Sequence, residues 1–210
     1  MRVIDEARGA IALGTRFARV ADDLDASSRN AALAWLPLVG AAVGAVAAAV
    51  AALPDGWGAP AGAVLGVLVL DVLGGRALGL ATAAKAAALL LIPAGARWVP
   101  LVLAPVLARW AQTVQCHGGR RPAGEAAGDG RAQFREFGWA SVVALGAALA
   151  LVEAVGLLAG VAAALATLGM RVGLHRRHGG MPAWGPGATA TLVELVVIAV
   201  LAALAPLARR

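Results

Sequence analysis

The sequence predicts an all-α integral membrane protein, a polytopic bundle of about seven transmembrane helices. Of its 210 residues 60% are hydrophobic and 14% charged, with a mean hydropathy of +0.80. A soluble domain of that composition would expose far too much apolar surface. The apolar residues also gather into runs close to the roughly 20 residues needed to cross a hydrocarbon core about 30 Å thick. Finally, the arginines fall in short segments between these runs, the pattern by which membrane proteins fix their orientation.

Taken in order, residues 1–30 are charged, and the apolar stretch around Ile11 to Leu13 is too short for a signal-peptide core. Ile4, Ile11, Phe17 and Val20 alternate with Arg8, Arg16 and Arg19, which suits a cytoplasmic lead-in or an amphipathic helix at the interface. Residues 31–208 form the bundle, and the whole chain, 1–210, is a single membrane domain with no soluble stretch long enough for a second core. Ala31 to Leu53 is an uncharged span closed by the turn signal Pro54-Asp55-Gly56. Trp57 to Leu70 is shorter and stops at Asp71, and Ala77 to Ile92 follows with Lys85 inside it. After the tight connection Pro93 to Pro100 comes a fourth span, Trp98 to Gln115, with Arg109 in it.

Phe137 to Met170 is too long for one crossing, since a single helix at 1.5 Å per residue would reach about 50 Å. Charge decides how it is threaded. With the N-terminus cytoplasmic, the N-terminal arm, Arg109 to Arg135 and Arg171 to Arg177 share one side only if this run is a hairpin turning near Gly156. A last helix from about Gly187 to Leu207 makes seven and leaves Arg209 and Arg210 outside, against the rule. Gly40 and Gly44 form a Gly-x-x-x-Gly pair that would let two helices approach closely.

The net charge of +6 is scattered over loops, without the continuous basic face that a nucleic-acid site requires. Membrane lipid and an anionic substrate are the expected partners. Cys116, the one cysteine, excludes an internal disulfide. His117, His175 and His178 lie beside arginines with no companion carboxylate or thiol to complete a zinc set.

Ionisable groups at membrane depth are costly and so mark candidate function. Here they are Asp71, Lys85, Arg109, Glu153 and Glu194. Lys85 reads as a snorkelling side chain, and Glu153 as a half-exposed residue beside the hairpin turn. Asp71 ends a short span before Gly74-Gly75-Arg76, where backbone can approach a ligand. Glu194 lies about two turns into the last helix from the same face. Carboxylates of this kind can share Mg²⁺ with substrate phosphates, and arginines complement phosphate oxygens.

Three segments resemble the cobalamin synthases, or adenosylcobinamide-GDP ribazoletransferases. Residues 10–17, AIALGTRF, are similar to that family's opening "fLTRlPv" helix, and residues 34–44, AWLPLVGAAVG, to its "fPLVGlliG" segment. In the C-terminal half, Ala108-Arg109-Trp110-Ala111 resembles "GRWA" and Arg121-Pro122 resembles "ARPeGLG". Gly179-Gly180, Gly187-Ala188 and Glu194 fall into step with "GGxTGDxxGAxxExxE". Two departures stand out. Of the acidic signature "HLDGLADTADG" only Val69-Leu70-Asp71 survives, and Pro182-Ala183-Trp184 and Thr191 replace "TGD" and the first Glu of the last motif.

The resemblance implies Mg²⁺-dependent joining of adenosylcobinamide-GDP to α-ribazole or its phosphate, with release of GMP, at the inner face of the cell membrane. It implies Asp71 and Glu194 as catalytic and metal-binding residues, and Arg76, Arg109 and Arg121 as substrate-binding ones. Two other functions fit the same residues. One is a catalytically degenerate relative serving a membrane complex of cobalamin-assembly proteins; the other is a small transporter with Asp71, Lys85 and Glu194 along its path. A homo-oligomer is compatible with each.

Overall fold

The computed structural model describes residues 2–17, 24–53, 59–118 and 131–205. Every regular element among them is helical. An N-terminal helix α1 (Arg2–Gly14) and a short α2 (Ala26–Ala32) lead through a 3₁₀ turn into α3 (Leu36–Ala52). Asp25 starts α2 by accepting the Ser28 N–H at 2.7 Å, a side-chain N-cap. Then follow α4 (Ala59–Leu73), α5 (Leu80–Leu90), α6 (Trp98–Cys116), α7 (Phe134–His178) and α8 (Gly185–Leu204).

The expected hairpin is present within α7. Val152 (φ −147°, ψ 16°) and Glu153 (φ 47°, ψ −126°) leave helical geometry and divide α7 into arms 134–151 and 154–178. The turn lies a few residues before Gly156, whose role is close approach: a Cβ there would stand 2.7 Å from the Ala148 carbonyl carbon of the opposite arm. Alanines at four-residue spacing, Ala140, Ala144 and Ala148 on one arm and Ala159 and Ala163 on the other, are buried. Small side chains on one stripe are what lets two helices pack where lipid supplies no hydrophobic drive.

Counting the arms separately gives seven apolar helices among the described residues, but they do not cross alike. The runs Ala26–Ala52, Phe134–His178 and Gly185–Leu204 are long and apolar enough to span, and α4 is shorter. The span expected over Ala77 to Ile92 is only the 11-residue α5, too short to cross alone and bent 118° from the helix after it. Arg97 stands at that bend and donates to the Ile92 carbonyl at 3.0 Å and to the carbonyl of Leu90, the last residue of α5, at 3.4 Å. The turn expected at Pro54-Asp55-Gly56 and the chain past Ala205, including Arg209 and Arg210, lie outside the described residues.

The core is organised around α6, packed between α3 and α8. Gly40 and Gly44 are buried and face it: a Cβ on Gly44 would meet the Leu101 carbonyl oxygen at 2.5 Å, and one on Gly40 the Arg109 Cγ at 3.0 Å. Polar contacts fix the register. Thr113 donates to the Leu33 carbonyl at 2.8 Å, Trp110 to Ser141 at 3.0 Å, and Gln115 to Thr189 at 3.2 Å.

One end of the bundle collects the arginines. The Arg16 N–H donates to the Leu73 carbonyl at 3.1 Å, and the Arg131 N–H to Asn30 at 2.7 Å. Arg171 donates to the carbonyls of Val114 (3.1 Å) and His117 (2.7 Å), joining the second arm of α7 to the end of α6. This is the clustering that the hairpin reading requires. On α1 the apolar Val3, Ile4 and Ile11 are exposed while Ala10 is fully buried.

Candidate functional site

Four helices bring charged side chains together just inside that end. Asp71 comes from the last turn of α4, Lys85 from α5, Arg109 from α6 and Glu194 from α8, and Arg76 reaches in from the α4–α5 turn. The turn forms because the chain reverses at Gly75, which takes φ +70°, a left-handed conformation that glycine adopts without strain. The Arg76 N–H then donates to the Asp71 carbonyl at 2.9 Å, returning its side chain over the helix end.

Lys85 is the hub. Its ammonium is 0% exposed and donates to Asp71 Oδ1 and, at 3.1 Å, to Glu194 Oε2. The second Asp71 oxygen accepts from the Thr82 hydroxyl at 2.6 Å. Thr82 and Lys85 are three residues apart, which sets both on one face of α5. Arg76 pairs with Glu194 Oε2 and lies 3.7 Å from Asp71 Oδ1. Asp71 and Glu194 are each 1% exposed, and both are paired and hydrogen-bonded, as a buried carboxylate requires. Burial works against the charge on Arg76, but Glu194 and Asp71 outweigh it and raise its pKa above the ordinary value.

Arg109, 3% exposed, closes the cluster from α6, donating to Gln112 at 2.6 Å and to the Gly74 carbonyl at 3.4 Å. Two buried guanidinium nitrogens, Arg76 Nη2 and Arg109 Nε, have no hydrogen-bond partner among the described residues. The cluster holds three cations (Arg76, Lys85, Arg109) and two carboxylates (Asp71, Glu194), a formal excess of +1. A positive excess with unused buried donors is suited to an anion bearing several oxygens.

The structure therefore gathers Asp71, Arg76, Arg109 and Glu194, as expected from their shared face. Arg121 falls outside the described residues. Lys85 corrects the snorkelling reading. Its neighbours in sequence are alanines and leucines, and only the fold shows that it points inward to two carboxylates. Glu153 is exposed in the hairpin turn, remote from the cluster.

The sequence of the cobalamin-5-phosphate synthase family matches residues 72–202, more than half of the chain. The chain belongs to that family. No curated protein and no solved structure matches it. Membership places the protein in cobalamin biosynthesis and in a membrane. The matched region holds Arg76, Lys85, Arg109 and Glu194, and starts one residue after Asp71, where the acidic signature is cut short.

The Mg²⁺ implied by the sequence resemblance can be tested against these donors. Bridging Asp71 and Glu194 would put the ion about 2.1 Å from oxygens of both. The Lys85 ammonium already sits between them, the other Asp71 oxygen is bound to Thr82, and Arg76 sits on the Glu194 oxygen. Among the described residues no three His, Cys, Asp or Glu side chains are grouped to hold a metal. The donor set does not suit a divalent cation in this arrangement.

Proposed function

We propose that the protein is a membrane-embedded transferase of cobalamin assembly that joins adenosylcobinamide-GDP to α-ribazole or its phosphate, with the arginine-rich end facing the cytoplasm. The observation that carries this reading is the buried cluster with one excess positive charge and two unused guanidinium donors, Arg76 Nη2 and Arg109 Nε. Those donors suit the pyrophosphate of the activated cobinamide. Phosphoryl transfer depends on positioning and on neutralising charge over the phosphoryl oxygens, both of which fixed cations supply in a site of low dielectric.

In the step itself, the α-ribazole hydroxyl oxygen forms a bond to the phosphorus attached to cobinamide. The bond from that phosphorus to the bridging oxygen breaks, and GMP leaves with the electron pair. Glu194 Oε1 is the acceptor for the hydroxyl proton, because among the described residues Arg76 and Lys85 both donate to Oε2. Arg76 and Arg109 hold the non-bridging oxygens. Asp71 keeps Lys85 and Arg76 oriented, with Thr82 fixing its second oxygen.

One feature favours a second reading, a family relative that binds but does not turn over: both carboxylates already serve as counter-ions to Lys85 and Arg76. The deciding experiment is ribazole transfer by the purified protein in lipid nanodiscs. Product formation supports the transferase, and its absence where a complete family member works supports the relative.

A further inference from the structure

We propose that the Lys85 ammonium takes the place of a bridging divalent cation between Asp71 and Glu194, so that this site receives phosphate groups without a metal. The inference rests on the reading of the cluster as a phosphate site. Lys85 donates to one oxygen of each carboxylate and is fully enclosed, so an ion bridging those two oxygens would have to occupy its position.

Electrostatics points the same way. Asp71 and Glu194 bring two negative charges, and Lys85 and Arg76 already balance them, so a further doubly charged ion would meet Arg109 as well with no carboxylate left to offset it. The ammonium also differs from a metal in being tethered. It is in place once α5 has packed, and contributes its charge without the occupancy and dehydration that Mg²⁺ requires. The only lysine of the chain stands at this position.

The test uses the full chain in nanodiscs, with Mn²⁺ as the metal probe and inorganic pyrophosphate as the anion probe. Electron paramagnetic resonance of the unmodified protein should show no Mn²⁺ bound at Glu194. Pyrophosphate should bind in EDTA with an affinity that falls about tenfold in Lys85→Ala. Lys85→Ala should in turn acquire a Mn²⁺ site that Glu194→Gln in the same background removes, a gain that a merely structural lysine would not produce.

A Mn²⁺ signal in the unmodified protein that Glu194→Gln abolishes overturns the proposal, and that measurement stands even if Lys85→Ala does not fold. A folded Lys85→Ala that gains no Mn²⁺ site overturns it too, as does failure of the unmodified protein to bind pyrophosphate in EDTA. Pyrophosphate binding in EDTA without ribazole transfer refutes the transferase reading alone and leaves the role of Lys85 standing.

Discussion

Gly44→Ala and Gly146→Ala are the same chemical change on two apolar helices, and the structure gives them opposite signs. At Gly44 the new Cβ would lie 2.5 Å from the Leu101 carbonyl oxygen, 2.7 Å from Val102 Cα and 2.9 Å from Pro105 Cγ. Ordinary contact begins near 3.4 Å, so α6 must retreat by about 0.9 Å (3.4 minus 2.5), and two of these neighbours are backbone atoms with no rotamer to yield. Overpacking of this kind costs about 1–3 kcal/mol, against a gain of about 1 kcal/mol from replacing glycine inside a helix. The net is a loss of about 1 kcal/mol. At Gly146 nothing lies within 4 Å, so only the gain of up to about 1 kcal/mol remains. Reversible unfolding in mixed micelles titrated with sodium dodecyl sulfate measures both variants on one scale. Equal unfolding midpoints for the two would refute the close α3–α6 contact on which the position of Arg109 depends.

Gly40→Ala should weaken pyrophosphate binding more than Gly44→Ala does at similar stability, because its Cβ would press on Arg109 Cγ at 3.0 Å; isothermal titration of both variants checks it. Glu153→Gly should stabilise the hairpin by about 1 kcal/mol, since glycine adopts φ 47°, ψ −126° without the strain a glutamate bears, and an unchanged or lowered unfolding midpoint would contradict it. If the protein turns over, Glu194→Gln should lower ribazole transfer about 100-fold or more while circular dichroism still reports a helical fold, and a full rate in that variant would remove Glu194 as the proton acceptor. A cysteine placed at the exposed Arg131, with Cys116 replaced, should react with an impermeant maleimide only from the cytoplasmic side; labelling from the other side would invert the orientation.

The fold class, the hairpin within residues 134–178 and the end of the bundle where charge collects were all legible in the amino-acid sequence. Each rests on a quantity that reads linearly along a chain: the length of an apolar run against the bilayer, and the side on which arginines must fall. The sequence also placed Asp71, Arg76, Arg109 and Glu194 at a common depth, because each position follows from its distance to a helix end. Tertiary structure alone decided which way α5 lies and what Lys85 meets. A lysine at membrane depth has two ways to satisfy its charge, reaching out to the interface or finding a carboxylate inside, and local sequence does not separate them. The choice depends on the 118° bend after α5 and on the glycine contacts that draw α3 against α6, both set by residues far away in the chain. So the sequence delivered the charged residues to one end of the bundle, and packing determined that a lysine, rather than open space, lies between the two carboxylates.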